Sequence, residues 1–151
     1  MMGWAKYHTD DFDSLHLRKE TLSDDNVLIA WAYFNSASVL TKMKETEKAI
    51  QYYEEAIRHF LRINEIGICV PAYICIAEAY LDLNDCTKAT NALEQAFTYE
   101  YEYYGEENCR KYWLYDIKSK ILEKQGKNDE AAEYRRWSEE EYKKYIQSRE
   151  T

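Results

Sequence analysis

The sequence predicts an all-α fold built from consecutive helix pairs, and two observations lead to this prediction. The 151-residue chain has only four glycines and one proline, too few turn residues for a β-sandwich or a mixed α/β fold. Three stretches also align with one another, each as two amphipathic helices joined by a short turn. At this length one domain is expected. The predicted helices span residues 25–42, 46–62, 70–83, 86–104, 107–125 and 128–148.

The three aligned stretches share one pattern of large and small side chains. In the first helix of each, a tyrosine, a small residue and a large residue lie on one face; the tyrosines are Tyr33, Tyr73 and Tyr115. The second helix contributes an alanine, which always follows that last large residue by nine positions. Successive alanines, at Ala49, Ala89 and Ala131, are separated by 40 and then 42 residues. A constant inner spacing with a variable outer period indicates one supersecondary unit joined by adjustable loops.

This pattern resembles the tetratricopeptide repeat, whose first helix carries W-x2-L-G-x2-Y and whose second carries A-x3-F. The resemblance covers about residues 26–148 and weakens in the third unit, where Lys118 and Arg135 replace apolar residues. The period is longer than the usual 34 residues, as in kinesin light chains and in the peptide-sensing regulators of Gram-positive bacteria. The resemblance implies a right-handed α-solenoid of three such helix pairs over residues 23–151. Residues 1–22 would form a short N-terminal capping segment, and Asp10-Asp11 could cap a short helix within it.

In tetratricopeptide arrays the first helices of the units line a concave groove that holds a protein or peptide partner. By this resemblance, the groove residues are Trp31, Phe34, Ser38 and Lys42 in the first unit, Ile74, Glu78 and Asp82 in the second, and Trp113, Asp116, Lys120 and Lys124 in the third. Trp31 and Phe34 would form an aromatic entrance outside the packing of the helix pair. Such a surface suits an amphipathic helix or an extended peptide with an apolar anchor. Burial of both rings under residues 1–22 is the competing interpretation.

The two ends of the array differ in polarity. The outer flank of the second helix is apolar in the first unit but becomes Ala132, Glu139 and Lys143 in the third. A terminal repeat needs such a polar flank, so we expect the array to end near residue 148. The stretch 27–34 is apolar on every side, which predicts a buried helix. Residues 1–22, preceding repeats or a second copy of the chain could cover it, so homo-oligomer formation stays open.

Charge and composition exclude several functions. A net charge of −8 disfavours nucleic acid as a partner. The four cysteines lack CxxC spacing, which predicts reduced thiols in a cytoplasmic protein with no metal site. No stretch predicts a membrane span, a glycine-rich phosphate loop or a cofactor site. Scattered histidines and the absence of HExxH argue against an enzyme.

The sequence therefore favours a non-enzymatic adaptor or scaffold that binds a protein or peptide. Two alternatives remain: the peptide-sensing part of a bacterial regulator, and a structural homo-oligomer. A tyrosine cluster lies where the second and third units join. Within it Tyr103 and Tyr115 are predicted to pack inside, whereas Tyr104 and Tyr112 are candidates for an exposed contact.

Overall fold

A computed structural model of the chain describes residues 27–106 and 109–150. Within these ranges the chain forms six α-helices and no strand. They are α1 (Val27–Lys42), α2 (Thr46–Arg62), α3 (Ile66–Asp82), α4 (Cys86–Tyr104), α5 (Lys111–Lys124) and α6 (Asn128–Glu150). The predicted segment 1–22 lies outside the described residues. The chain divides into two compact units, residues 1–72 and 73–151, with the division inside α3.

The first unit is organised around the pairing of α1 with α2. Ala37 and Ala49 are fully buried, which is what close approach of two helices requires. Tyr33 fills the space beside them, and its ring stacks on His59 with the ring centroids 5.4 Å apart. Phe60, also fully buried, forms the far end of the same core. The small and large positions of the repeat pattern thus lie in the packing between the two helices.

The second unit has a core drawn mainly from α4, α5 and α6, with α5 packed against both other helices. Leu114, Ile117 and Ile121 form the buried face of α5. Tyr115 is half-buried between the rings of Phe97, 6.2 Å away, and Trp137, 6.1 Å away. Tyr115 is therefore a packing residue, as predicted.

Four of the connections close with the same backbone turn. Lys44, Asn64, Asn84 and Gly126 each have a positive φ, between 59° and 79°. The N–H of the next residue donates to a carbonyl five positions back, as from Glu45 to Leu40 at 2.9 Å and from Asp85 to Tyr80 at 2.9 Å. This is the Schellman closure, in which a left-handed residue lets the last carbonyls of a helix find donors. The described residues that follow α4, Gly105 and Glu106, show no such closure.

Two helix starts differ from the prediction. Helix α3 begins at Ile66 rather than at residue 70, and Pro71 lies inside it. Pro71 is the sixth residue of α3, so its missing amide removes the hydrogen bond to the carbonyl of Gly67 within the helix. Helix α5 begins at Lys111 rather than at residue 107. There the backbone N–H of Arg110 donates to the Glu100 carboxylate, so Arg110 caps the helix instead of continuing it.

The exposure of the second helices follows the predicted change in polarity. On α2 the predicted flank residues Ile50 and Ile57 are each 5% exposed, whereas the third, Leu61, is 37% exposed. The corresponding residues of α6, namely Ala132, Glu139 and Lys143, are all exposed.

Candidate functional site

Four of the predicted groove residues meet in one cleft of the second unit. Glu78 and Asp82, one turn apart on α3, form one wall of the cleft, while Lys120 and Lys124, one turn apart on α5, form the other. Leu81 and Glu123 complete a cleft of about 480 Å³. The volume lies in the range of binding pockets in proteins. A periodicity argument on two separate repeats thus identified side chains that share one cleft.

The two walls carry opposite charge and are joined by one ion pair. Lys120 Nζ lies 3.7 Å from Glu78 Oε2 across the cleft and 3.4 Å from Asp116 Oδ2 on its own helix. These side chains are all about half exposed, so each pair contributes little to folding stability. Lys124 Nζ donates to the neutral amide oxygen of Asn84 at 3.3 Å. Asp82 forms no ion pair with any residue between 27–106 or 109–149.

Ile74 and Trp113 are less available than the groove prediction requires. Ile74 is fully buried, so the prediction that it faces a partner is wrong. It occupies a packing position because α3 carries buried residues on most of its sides, including Val70, Ala72 and Ile76. Trp113 is half-buried, with the Arg110 guanidinium 5.8 Å from its ring centroid.

In the first unit, the two rings of the predicted aromatic entrance take part in the packing of α1 against α2. Trp31 is 37% exposed, and its ring meets Phe60 edge-on at 5.2 Å. Phe34 is half-buried, and its ring packs edge-on against buried Tyr53 at 5.4 Å. The expectation that both rings lie outside the packing of the helix pair is therefore wrong. Phe34 approaches α2 because the face of α1 that bears it adjoins the face that bears Tyr33 and Ala37.

The remaining two positions of the first unit differ in their surroundings. Ser38 is half-buried, and its Oγ lies 3.3 Å from the hydroxyl of Tyr53. Lys42, in the last turn of α1, is exposed. In this unit Trp31 and Lys42 are thus the predicted groove residues with the most accessible side chains.

A buried ion pair in the second unit was not predicted from the sequence. Glu100 is 1% exposed, and its two carboxylate oxygens accept hydrogen bonds from Arg110 Nε at 3.1 Å and Nη2 at 3.0 Å. The backbone N–H of Arg110 donates to the same carboxylate. These hydrogen bonds raise the pKa of Arg110, and the Tyr104 ring lies 4.5 Å beneath the guanidinium. The pair fixes the connection between α4 and α5 and the start of α5.

Beside this ion pair is a hollow of about 350 Å³. Tyr112 lies in its wall, half-buried against Tyr142 and Tyr145 at centroid distances of 5.2 and 5.1 Å. Burial raises the pKa of the Tyr112 hydroxyl and of the Cys109 thiol in the same wall. Tyr104, covered by Arg110, is half-buried as well, whereas Tyr103 is 56% exposed. The prediction that Tyr103 packs inside is wrong, since the last turn of α4 presents that side to solvent.

Among residues 27–106 and 109–150, no group of three or more His, Cys, Asp or Glu side chains could hold a metal ion. None of the six helices combines the length and apolar character that crossing a bilayer requires.

Comparison with known proteins agrees with this architecture. Residues 32–58, which span most of α1 and α2, match the family model of the tetratricopeptide repeat. Two crystal structures of MamA are similar to the chain, both at 21% sequence identity over 94% of its length. The first has a TM-score of 0.63 and is covered over 76% of its own chain; the second has 0.62 and 71%. A comparison with curated protein sequences finds no significant match.

The chain therefore has the α-solenoid fold class predicted from its sequence, and residues 32–58 match a tetratricopeptide repeat. Folds of this class generally serve as scaffolds for protein interaction, and generally without enzymatic activity.

Proposed function

We propose that the chain is a non-enzymatic adaptor that binds a peptide segment of a partner protein in the cleft between α3 and α5. The observation that carries the proposal is the meeting of Glu78 and Asp82 with Lys120 and Lys124 around one open cleft. These side chains contribute little to the core, being exposed, so the fold leaves them available to a partner. A cytoplasmic setting is consistent with Cys69, Cys75, Cys86 and Cys109, which form no disulfide within the described ranges.

The first unit carries a separate candidate contact for a partner. Trp31 has a large, partly exposed ring whose other edge is held by Phe60. A tryptophan fixed in this way loses little conformational freedom when a partner covers it, which is a property of binding hot spots. We assign Trp31 as an apolar anchor and Lys42 as an accompanying charge.

The cleft can be tested by filling it without changing the net charge. The double variant Asp82→Tyr with Lys124→Tyr removes one charge of each sign and adds two bulky rings. The matched control, Glu139→Tyr with Lys143→Tyr, does the same on the exposed flank of α6. Peptides would be selected from a random displayed library on the unaltered protein, and their affinity measured on all three proteins by fluorescence anisotropy.

We expect the cleft variant to lose binding by at least about tenfold, because the bulky rings occupy the space that the peptide needs. The control should bind as the unaltered protein does. Equal affinity in all three proteins would remove the cleft from the proposal.

Self-association is a second candidate function, favoured by exposed apolar side chains at the start of α1. Val27 is 41% exposed, Leu28 54% and Trp31 37%. Neighbouring apolar surface of this kind is common at protein interfaces. Light scattering on the unaltered chain and on Leu28→Glu tests this candidate: a dimer that becomes a monomer supports it, and a monomer throughout excludes it.

A further inference from the structure

The charges of the α3–α5 cleft are arranged in two opposed rows. Glu78 and Asp82 are four residues apart on α3, and Lys120 and Lys124 are four residues apart on α5, so each pair lies on one helix face. The α5 wall also carries the carboxylate of Glu123, which lies outside this row and is paired with Arg135 of α6. A segment that enters the cleft therefore meets the carboxylates of Glu78 and Asp82 on one side and the ammonium groups of Lys120 and Lys124 on the other.

The protein itself satisfies only part of this pattern. Lys120 is engaged by Glu78 and by Asp116, and the third carboxylate of the lining, Glu123, forms an ion pair with Arg135 of α6. Asp82 has no ion pair within the described ranges, and Lys124 has only the neutral amide of Asn84. One carboxylate and one ammonium group, on opposite walls, are thus left for a ligand.

From this arrangement we infer that the cleft accepts a peptide segment bearing both charges, with a basic side chain directed to Asp82 and an acidic side chain to Lys124. This inference rests on the proposed function and names the chemistry of its partner. A uniformly basic segment would meet Lys120 and Lys124, and a uniformly acidic segment would meet Glu78, Asp82 and Glu123. Like charges brought together in this way reduce affinity and exclude wrong partners.

The test uses three alanine-rich helical peptides of equal length that differ only in charge. One carries a lysine pair and a glutamate pair on adjacent flanks, each at a spacing of four residues; the second carries lysines at all these positions, and the third glutamates. Affinity is measured from the amide chemical shifts of the isotope-labelled protein at low ionic strength, where exposed charge pairs are least screened. We expect the mixed peptide to bind about fivefold more tightly than either uniform peptide.

Variants of each wall should change this preference in opposite directions. Glu78→Gln with Asp82→Asn should make the acidic peptide the tightest ligand, because its repulsion from α3 is removed. Lys120→Gln with Lys124→Gln should instead favour the basic peptide. Glu133→Gln with Glu139→Gln, which changes the net charge as the α3 variant does but on exposed residues of α6, should leave the order unchanged.

Several outcomes would overturn the inference. A uniform peptide that binds the unaltered protein at least as tightly as the mixed one contradicts it. The inference is also contradicted if the order of affinities is the same in both wall variants as in the unaltered protein. A change of this order in the α6 control contradicts it as well. If no peptide of the panel binds, while library-selected peptides still lose affinity in the cleft-filled variant, the charge inference fails and the proposed function stands. If the library-selected peptides bind the cleft-filled variant as tightly as the unaltered protein, the proposed function itself is contradicted.

Discussion

A carboxylate that leaves water loses much solvation energy unless a cation and hydrogen bonds replace it. Glu100 meets this condition through Arg110, which supplies two side-chain hydrogen bonds and one from its backbone. The two residues are ten positions apart and separated by a loop, so helical periodicity gives no sign that they pair. The sequence predicted the faces of the helices. It could not predict this contact, which depends on the position of Arg110 relative to α4.

Glu100→Ala should reduce the free energy of unfolding by about 3 kcal/mol, because Arg110 would be left partly buried without its partner. The matched control is Glu102→Ala, two residues along α4, where the side chain is exposed and the loss should be close to zero. Urea denaturation followed by circular dichroism measures both. A similar small loss in both variants would contradict the importance given to the buried pair.

Phe34→Ala should cost about 2 kcal/mol of folding stability, less than for a fully buried ring. The ring is half-buried against Trp31 and Tyr53, so its removal leaves a gap at the α1–α2 contact. Thermal melting of this variant beside Asn35→Ala, an exposed neighbour, provides the measurement. An unchanged melting temperature for Phe34→Ala would return the ring to the groove surface predicted from the sequence.

Cys69 should resist alkylation in the folded protein. Its side chain is fully buried, and burial raises the pKa of the thiol to about 11, so little of the reactive thiolate forms at pH 8. Mass spectrometry after treatment with iodoacetamide should find Cys69 modified only when denaturant is present, and half-buried Cys86 modified earlier. Equal rates for the two thiols would show that the start of α3 opens readily.

At the scale of the element, small residues decide how closely helices approach. Periodicity placed all six helix ends within two residues and the starts of α2, α4 and α6 at the predicted residue, since apolar faces and turn residues are both visible in the sequence. The starts of α3 and α5 were missed for local reasons that periodicity does not contain. Pro71 is tolerated inside α3, and a side-chain contact from α4 delays α5.

Ala77→Leu should cost roughly 1 to 3 kcal/mol, because Ala77 is fully buried and the larger side chain overpacks its site. The same substitution at Ala132, which is exposed on α6, should change stability by less than about 0.5 kcal/mol. Denaturant midpoints of the two variants give the comparison. Tolerance of leucine at position 77 would mean that the repeat pattern marks something other than close packing.

At the scale of the whole molecule, surface charge controls what the chain associates with. The net charge of −8 opposes aggregation, and the polar flank of α6 removes apolar surface from the last helix of the chain. The sequence predicted the exposure of this flank by comparison with equivalent positions in α2, of which Ile50 and Ile57 are buried and Leu61 is 37% exposed. The identity of the partner cannot be predicted by such a comparison. Each repeat supplies only a few exposed side chains to the site, so the chain contains no equivalent surface with which to compare them.

Glu139→Leu should leave folding stability nearly unchanged and promote self-association. The side chain is exposed, so its replacement adds apolar surface without disturbing the core. Sedimentation velocity over a range of concentrations, with Glu139→Gln as a control for charge alone, would detect the larger species. If Glu139→Leu unfolds the domain instead, the flank contributes to packing and its assignment is wrong.

The recurrence of one backbone turn bears on how a protein of this kind changes its length. Lys44 and Asn84 occupy the same position of the same closure, 40 residues apart, each with the matching hydrogen bond to its preceding helix. A segment excised or duplicated between two such points begins and ends in one conformation, so the new junction demands no new loop geometry. Such a segment also contains two helices, so the chain after the junction runs in the same direction as before. Gene duplication and recombination at these turns can therefore lengthen or shorten the array by whole helix pairs, while the closures that remain need no compensating substitution.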